Sequence, residues 1–254
     1  NLMLAEWANR GLNQWTIAQT SITTATGISE YPAGTLTMTV GASGSFTVGE
    51  TITGGTSGAT ASITSKPSSG SFAITIPSGT FSASETLTGG TSAATTTLSS
   101  AVDLSNTQGT IDILSCVVTR DNTDYGIERV SRDTFLNIPS KTTTGRINQF
   151  FIDRQITPVL KVWPTPENNT DIIKFDRLVR MFDGDTFTNT VDLPFRFYPC
   201  LAAGLAYYIS VKRAPNRVQL LKAMYEEEFE RAMTEDRDRA SFNVVPQYQY
   251  FRTG

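Results

Sequence analysis

The chain contains one stretch twice. Residues 46–57 are Phe-Thr-Val-Gly-Glu-Thr-Ile-Thr-Gly-Gly-Thr-Ser, and residues 81–92 are Phe-Ser-Ala-Ser-Glu-Thr-Leu-Thr-Gly-Gly-Thr-Ser, so the two copies are offset by 35 residues. In both copies apolar and hydroxyl residues alternate with the period of two that half-buried strands have. The glycine pair in each copy supplies the positive φ that tight hairpin turns require. The stretch therefore predicts two tandem β-rich repeats.

The repeats lie in a segment, residues 33–104, whose composition differs from that of the rest of the chain. Gly, Ser and Thr dominate it, and its charged residues are Glu50, Lys66, Glu85 and Asp103. Such a composition can indicate a low-complexity linker, but the internal repeat favours a folded module. Two repeats are few for a solenoid, so we expect them to pack against each other. We predict an inserted all-β domain over residues 33–104.

The flanking segments have ordinary globular composition. Residues 1–15 show the apolar spacing of an amphipathic helix, and because no N-cap residue precedes it we expect further natural residues before Asn1. Residues 195–214 are apolar on almost every side, which predicts a buried helix. We expect an α+β core, residues 1–32 and 105–240, formed by a small helical bundle with a minor β-sheet. The strands predicted for that sheet are residues 110–119, 150–153, 159–163 and 172–179.

The chain has no histidine and two cysteines, Cys116 and Cys200. Histidine-dependent nucleophilic and acid–base catalysis and most zinc sites are therefore excluded. Both cysteines lie in apolar stretches, which favours buried free thiols over a single disulfide. We expect no catalytic residue, no cofactor-binding residue and no metal ligand.

Charge and hydropathy narrow the possible partners. A net charge of −3 and a pI of about 5.1 give no basic surface for wrapping nucleic acid. There is also no run of about eighteen apolar residues, so we expect no membrane-spanning segment.

An acidic cluster in the predicted last helix could be imagined as paired carboxylates of a hydrolase. Glu227 and Arg231, and likewise Glu235 and Arg239, stand four residues apart in the order that favours ion pairs on a solvated helix. The cluster therefore indicates an ordinary exposed helix face.

A set of charges of both signs runs through the middle of the chain. Scattered surface ion pairs are one interpretation, and each such pair contributes little. A self-complementary interface between subunits of a ring is the other. The residues of this possible ring interface are Arg129, Arg132, Asp133, Arg146, Asp153 and Arg154.

The last segment, residues 241–254, is rich in aromatic and apolar side chains without a helical period. It could be a disordered end, but large apolar side chains are costly to leave in water. We therefore predict an extended tail that docks on a partner. Its docking residues would be Val244, Val245, Pro246, Tyr248, Tyr250 and Phe251.

Without residues 33–104, the order and spacing of several short motifs resemble the head-to-tail adaptor (head-completion) proteins of short-tailed bacteriophages. The similarity covers residues 1–30 and 106–246. The motifs that carry it are residues 7–13, 128–132, 136–142, 153–155, 162–164, 193–196, 203–208 and 235–242.

The resemblance implies a non-enzymatic virion component, assembled in the host cytoplasm and located at the head-to-tail junction. Such proteins form a ring, usually a dodecamer, below the portal protein. The ring extends the channel for duplex DNA without reading its sequence and carries the tail nozzle protein, while C-terminal segments clasp the portal. The family does not explain the insert at residues 33–104.

Two functions from other classes remain open. The Thr- and Ser-rich repeats could form a carbohydrate-binding or host-adhesion module, although they lack the Trp and Tyr that usually stack on sugars. A carboxylate-dependent cell-wall hydrolase is the enzymatic alternative.

Overall fold

The computed structural model describes residues 2–12, 14–100, 102–103, 108–181 and 193–236. The chain divides into two compact units. One is Thr16–Arg180. The other combines Asn1–Trp15 with Met181–Gly254.

The expected helical bundle with a minor β-sheet is wrong, because the fold is mostly β. Strands account for 37% of the structure and helices for 26%. The reason is that β-branched and hydroxyl residues dominate residues 16–180, and many short strands there find partners far away in the sequence. Residues 17–23, for example, form a strand that pairs with residues 172–178.

The described helices of more than one turn are α1 (Leu2–Asn9), α2 (Arg132–Leu136), α3 (Tyr198–Arg213) and α4 (Val218–Glu235). The strands are β1 (Ile17–Thr23), β2 (Glu30–Pro32), β3 (Leu36–Thr39), β4 (Thr51–Gly54), β5 (Thr60–Ser68), β6 (Ser71–Ile74), β7 (Thr86–Gly89), β8 (Thr95–Thr97), β9 (Thr110–Arg120), β10 (Thr123–Gly126), β11 (Glu128–Arg129), β12 (Thr144–Gly145), β13 (Gln149–Asp153), β14 (Val159–Trp163), β15 (Thr165–Pro166) and β16 (Ile172–Val179).

Two four-stranded sheets form the first core of Thr16–Arg180. Their strand orders are β1-β16-β9-β10 and β11-β13-β14-β2. Their alternating apolar residues are buried in one shared cluster that includes Val118 and Phe175 from one sheet and Phe150 and Leu160 from the other. Ala33, directly after β2, is buried in this cluster, and its carbonyl accepts a hydrogen bond of 2.6 Å from the Thr110 hydroxyl.

The six strands β3 to β8 form a separate sheet with the order β3-β6-β5-β4-β7-β8. The segment around β8 returns to β3: Gly41 N donates to Thr97 O (3.0 Å) and Ser99 N donates to Thr39 O (2.8 Å). The sheet is therefore closed into a small barrel, which we call the repeat barrel. Its interior is a second apolar cluster that includes Phe46, Phe72 and Phe81. Closure removes the exposed strand edges that would otherwise invite aggregation.

The other unit is helical in its described residues. Helices α1, α3 and α4 pack around Trp7 and Tyr225, and Trp7 Nε1 donates to the Tyr225 hydroxyl over 2.9 Å. Gly204 permits the close approach of the helices, because a Cβ at this position would lie 2.3 Å from Met3 Sδ. Glu6 accepts hydrogen bonds from the hydroxyls of Tyr208 and Tyr225, and its bond raises the pKa of Tyr208 to about 12.

Candidate interaction surfaces

The exposed side of α3 is the most conspicuous apolar surface of the helical unit. The sequence predicted a helix buried on almost every side, but among its described residues the buried ones are Cys200, Gly204 and Ser210. The prediction was wrong because α1 and α4 cover α3 on one side, and no described residue of the helical unit covers its other side. That side, which we call the α3 face, carries Tyr198, Ala202, Leu205, Ile209 and Lys212.

The spacing of the α3 face is that of a helix packing seam. Its members recur every three or four residues, so they lie in one stripe along the helix. Leu205 is 49% exposed and Ile209 is 59% exposed. Single exposed apolar residues are common on protein surfaces, but a continuous stripe of them marks a contact surface.

Helix α4 has a second apolar stripe on its outer side, the α4 face. Its inner side buries Tyr225, Phe229 and Ala232, whereas Leu220 and Met224 are 65% and 51% exposed. On both faces the two large apolar side chains stand four residues apart. The two faces therefore match each other in spacing.

Charges on α4 stand in the opposite order to the one that favours an isolated helix. Its first turn has no acidic residue and its last turn has no basic residue. Lys212, Arg213, Arg217 and Lys222 gather near its start and, within the described residues, form no ion pair. The macrodipole prefers anions at the start of a helix and cations at its end, so Lys212 and Arg213 favour the end of α3, whereas Arg217 and Lys222 do not favour the start of α4.

A groove of about 650 Å³ joins the α3 face to this basic group. Leu2, Met3, Leu205, Tyr208 and Ile209 supply most of its wall, and Lys212 and Arg213 complete it. The groove thus has an apolar wall and a basic end.

Some of the six residues predicted to form a ring interface lie close together in the fold, and the others lie elsewhere. Arg129 donates to Asp112 over 2.9 Å, and Arg154 lies 3.7 Å from the same carboxylate. Arg129, Arg132 and Arg154 line one cavity of about 410 Å³ on Thr16–Arg180. Arg146 lies elsewhere, with its guanidinium 4.0 Å from the centre of the Tyr125 ring, and Asp133 lies in the first turn of α2.

Asp153 is the buried member of this set. Burial raises the pKa of its carboxyl, but hydrogen bonds from Arg132 and Gln155 outweigh that effect and lower the pKa below its ordinary value. The pair formed by Asp153 and Arg132 therefore stays charged at neutral pH, and its guanidinium stays 69% exposed towards any partner.

The predicted docking tail, with Val244, Val245, Pro246, Tyr248, Tyr250 and Phe251, lies outside the described residues.

The two cysteines are free and buried, as the sequence predicted. Burial raises the pKa of both thiols to about 12, so neither is a reactive thiolate at neutral pH. Among the described residues, no group of three or more acidic or cysteine side chains could hold a metal ion. No described helix has the length and hydropathy that crossing a membrane requires.

Three carboxylates of α4, those of Glu226, Glu227 and Glu228, form ion pairs. Glu227 contacts Arg231 at 2.5 Å, as predicted from their spacing, and Glu226 binds Arg10 at 2.6 Å. The surface is that of a solvated helix face with structural ion pairs.

One site was missed at the sequence level: the reciprocal contact of the two repeats. Glu50 and Glu85 occupy the same position in each repeat, and both are 4% exposed. The available signal was that each repeat places a carboxylate at the same point of an otherwise nearly uncharged stretch. A repeated charge in an apolar and hydroxyl-rich barrel must have a specific partner, because an unpaired buried carboxylate is very costly.

No family model matches the chain, and no curated protein matches it.

Proposed function

We propose that this protein is a structural subunit of a phage particle that assembles into a ring adaptor between the portal protein and the tail nozzle. In this role it extends the channel through which duplex DNA passes and gives the tail its attachment platform. The motif order and spacing of residues 1–30 and 106–246 support the proposal at the sequence level.

The observation that carries the proposal is the pair of apolar faces on α3 and α4. A ring requires two different surfaces on each subunit that fit each other, since head-to-tail contacts close into a ring when the rotation permits. The α3 face offers Leu205 and Ile209, and the α4 face offers Leu220 and Met224 with the same spacing. Packing the α3 face of one copy on the α4 face of the next removes all four side chains from water.

The free energy gained by burying these apolar side chains favours association. Complete burial of one large aliphatic side chain contributes about 1.5–3 kcal/mol, and each contact would bury part of four. Repetition around a closed ring adds the avidity of linked contacts. The arginine cavity formed by Arg129, Arg132 and Arg154 supplies a polar surface for the neighbouring virion proteins.

The test is the oligomeric state of the purified chain, measured by light scattering and by electron microscopy of stained particles. We expect rings. Leu205→Glu combined with Ile209→Glu should give folded monomers, because two charges would be buried in the contact. Ile156→Glu is the matched control, since Ile156 is 89% exposed on the other unit and should leave the rings intact. A monomeric natural chain, or rings that survive the double substitution, would contradict the proposal.

A further inference from the structure

The repeat barrel consists of two interlocked copies of one unit. Strands β4 and β5 correspond to β7 and β8 at the offset of 35 residues, and β3 corresponds to β6 at an offset of 36, with Leu36 equivalent to Phe72 and Met38 to Ile74. β4 and β7 are paired antiparallel with Thr53 opposite Thr88, which are equivalent residues of the two repeats. β3 and β6 pair so that Leu36 faces Ile74 and Met38 faces Phe72, and exchanging the repeats turns one pair into the other. The pairing therefore has an internal two-fold axis.

Each repeat recognises the other through a carboxylate. Glu50 accepts hydrogen bonds from Ser92 N (2.9 Å), Ser92 Oγ (2.9 Å) and Thr91 N (3.2 Å) of the second repeat. Glu85 accepts from Ser57 N (2.9 Å), Ser57 Oγ (2.9 Å) and Thr56 N (3.2 Å) of the first. The three distances around Glu50 agree with the three around Glu85, so each repeat binds the carboxylate of the other in the same way.

Gly54 and Gly89 leave the space that the two carboxylates occupy. A Cβ on Gly54 would lie 2.5 Å from Glu85 Oε2, and a Cβ on Gly89 would lie 2.5 Å from Glu50 Oε2. Any other residue would push the carboxylate out of its turn. The repeated Gly-Gly-Thr-Ser turn is thus the receptor for the glutamate of the partner repeat.

We propose that one repeat is a self-recognition surface whose partner is a second copy of the same repeat. The natural chain satisfies this surface internally. A chain that carries a single repeat presents an unpaired half barrel, with a glutamate and an open turn, and it dimerises by completing the barrel with another chain.

The deciding variant is the full chain without residues 64–98, which joins Ile63 to Ser99. Ile63 is equivalent to Leu98, since Ile63 N donates to Glu50 O and Leu98 N donates to Glu85 O. The variant is made together with Leu205→Glu and Ile209→Glu, so that association through the helix faces does not contribute. We expect a dimer by light scattering.

Cross-linking identifies the contact. In the single-repeat chain, Thr53 of one copy should face Thr53 of the other, as Thr53 faces Thr88 in the natural chain. Thr53→Cys should therefore give a covalent dimer with a short bismaleimide, and the native cysteines should not react because both are buried. Adding Glu50→Gln should lower the dimer yield about tenfold or more, since it weakens both carboxylate contacts at once. Thr53→Cys in the two-repeat chain with the same helix-face substitutions is the control without a dimer.

A second variant tests equivalence without requiring dimerisation. Residues 72–98 are replaced by a copy of residues 36–63, which places Leu36 and Met38 at the inward positions of Phe72 and Ile74 and is one residue longer because the connection from β3 to β4 is longer than that from β6 to β7. We expect the amide hydrogens of the barrel to be as protected from exchange as in the natural chain. A single-repeat chain that stays monomeric or aggregates, or a two-copy chain whose barrel amides exchange freely, overturns the proposal.

Discussion

At the scale of single residues, the two repeats differ in backbone strain. Gly49 and Gly58 have positive φ in the first repeat, and the equivalent positions of the second repeat are Ser84 (φ 61°) and Ala93 (φ 52°). A residue with a Cβ in this left-handed region costs about 1–2 kcal/mol. The second repeat therefore holds strain that the first avoids with glycine.

We predict that Ser84→Gly and Ala93→Gly each stabilise the barrel by about 0.5–1 kcal/mol, since relief of the strain exceeds the greater chain entropy of glycine in the unfolded state. Hydrogen exchange of the barrel amides measures the change, because the barrel contains no Trp or Tyr to report unfolding. Gly58→Ala is the matched reverse substitution and should destabilise. Equal protection in all three variants would contradict the strain argument.

The buried glutamates give the barrel a defined pH response. Burial raises the pKa of Glu50 and of Glu85, but backbone and serine hydrogen bonds outweigh it, so both pKa values lie below the ordinary value of the unfolded chain. A carboxyl with a lowered folded-state pKa contributes stability above its unfolded pKa. That contribution is lost as the pH falls through the folded-state pKa.

We therefore predict full barrel stability at pH 6–7 and a progressive loss below about pH 4. Denaturant titrations followed by hydrogen exchange at several pH values provide the measurement. Glu50→Gln should cost about 1.5–3 kcal/mol at neutral pH, because charge-assisted bonds are lost, and should flatten the pH dependence. A natural barrel equally stable at pH 3 and pH 7 would show that the carboxylates are not the source.

At the scale of elements, we expect the helices to make the assembly contacts and the strands to provide a rigid, closed body. Strands β3 to β8 close on themselves, so they leave no sheet edge for a partner. Helices α3 and α4 carry apolar side chains on their outer sides, and α4 carries charges in an order that a lone helix would not favour. The assembly contacts are therefore expected on the helices.

The C-terminal segment is the second element for which we predict an assembly role. Truncation after Phe242 removes Val244, Val245, Tyr248, Tyr250 and Phe251, which would each contribute up to about 1.5–3 kcal/mol when buried on a partner. We expect a folded chain that fails to join portal-capped heads, which then leak DNA. Co-sedimentation with purified portal protein measures this directly. Equal binding by the truncated and full chains would move the portal contact to the arginine cavity.

At the scale of the whole molecule, the net charge limits the interaction with DNA. With −3 per chain, a ring of twelve copies would carry about −36, which repels a polyanion. We predict weak duplex binding that disappears as salt is raised through the physiological range. Fluorescence anisotropy with labelled duplexes of two unrelated sequences is the measurement. Tight, salt-resistant binding would contradict a passive channel.

The basic group near the start of α4 gives this prediction a matched control. Changing Lys212, Arg213, Arg217 and Lys222 to glutamine should remove most of the residual affinity, because these are exposed cations without ion pairs in the described structure. Residual binding that is unchanged by the four substitutions would place the DNA contact elsewhere.

Some features could be predicted from sequence because they depend on neighbours along the chain. The repeat at 46–57 and 81–92, its alternation, the ion pair of Glu227 with Arg231 and the buried thiols all rest on local pattern and composition. The absence of histidine likewise excluded whole classes of chemistry without any coordinates.

Other features were decided by tertiary structure alone. Whether an apolar helix is buried depends on how many elements cover it, and α3 is covered on one side, so the same sequence that predicted burial gives an exposed face. The excess of strands over helices arose because β1, β9 and β16 pair across more than fifty residues of chain, and local propensity does not register such pairing. Glu50 and Glu85 form a recognition site only because β4 pairs with β7 in the folded chain. Each carboxylate and the turn that binds it lie in different repeats, so the sequence alone does not bring them together.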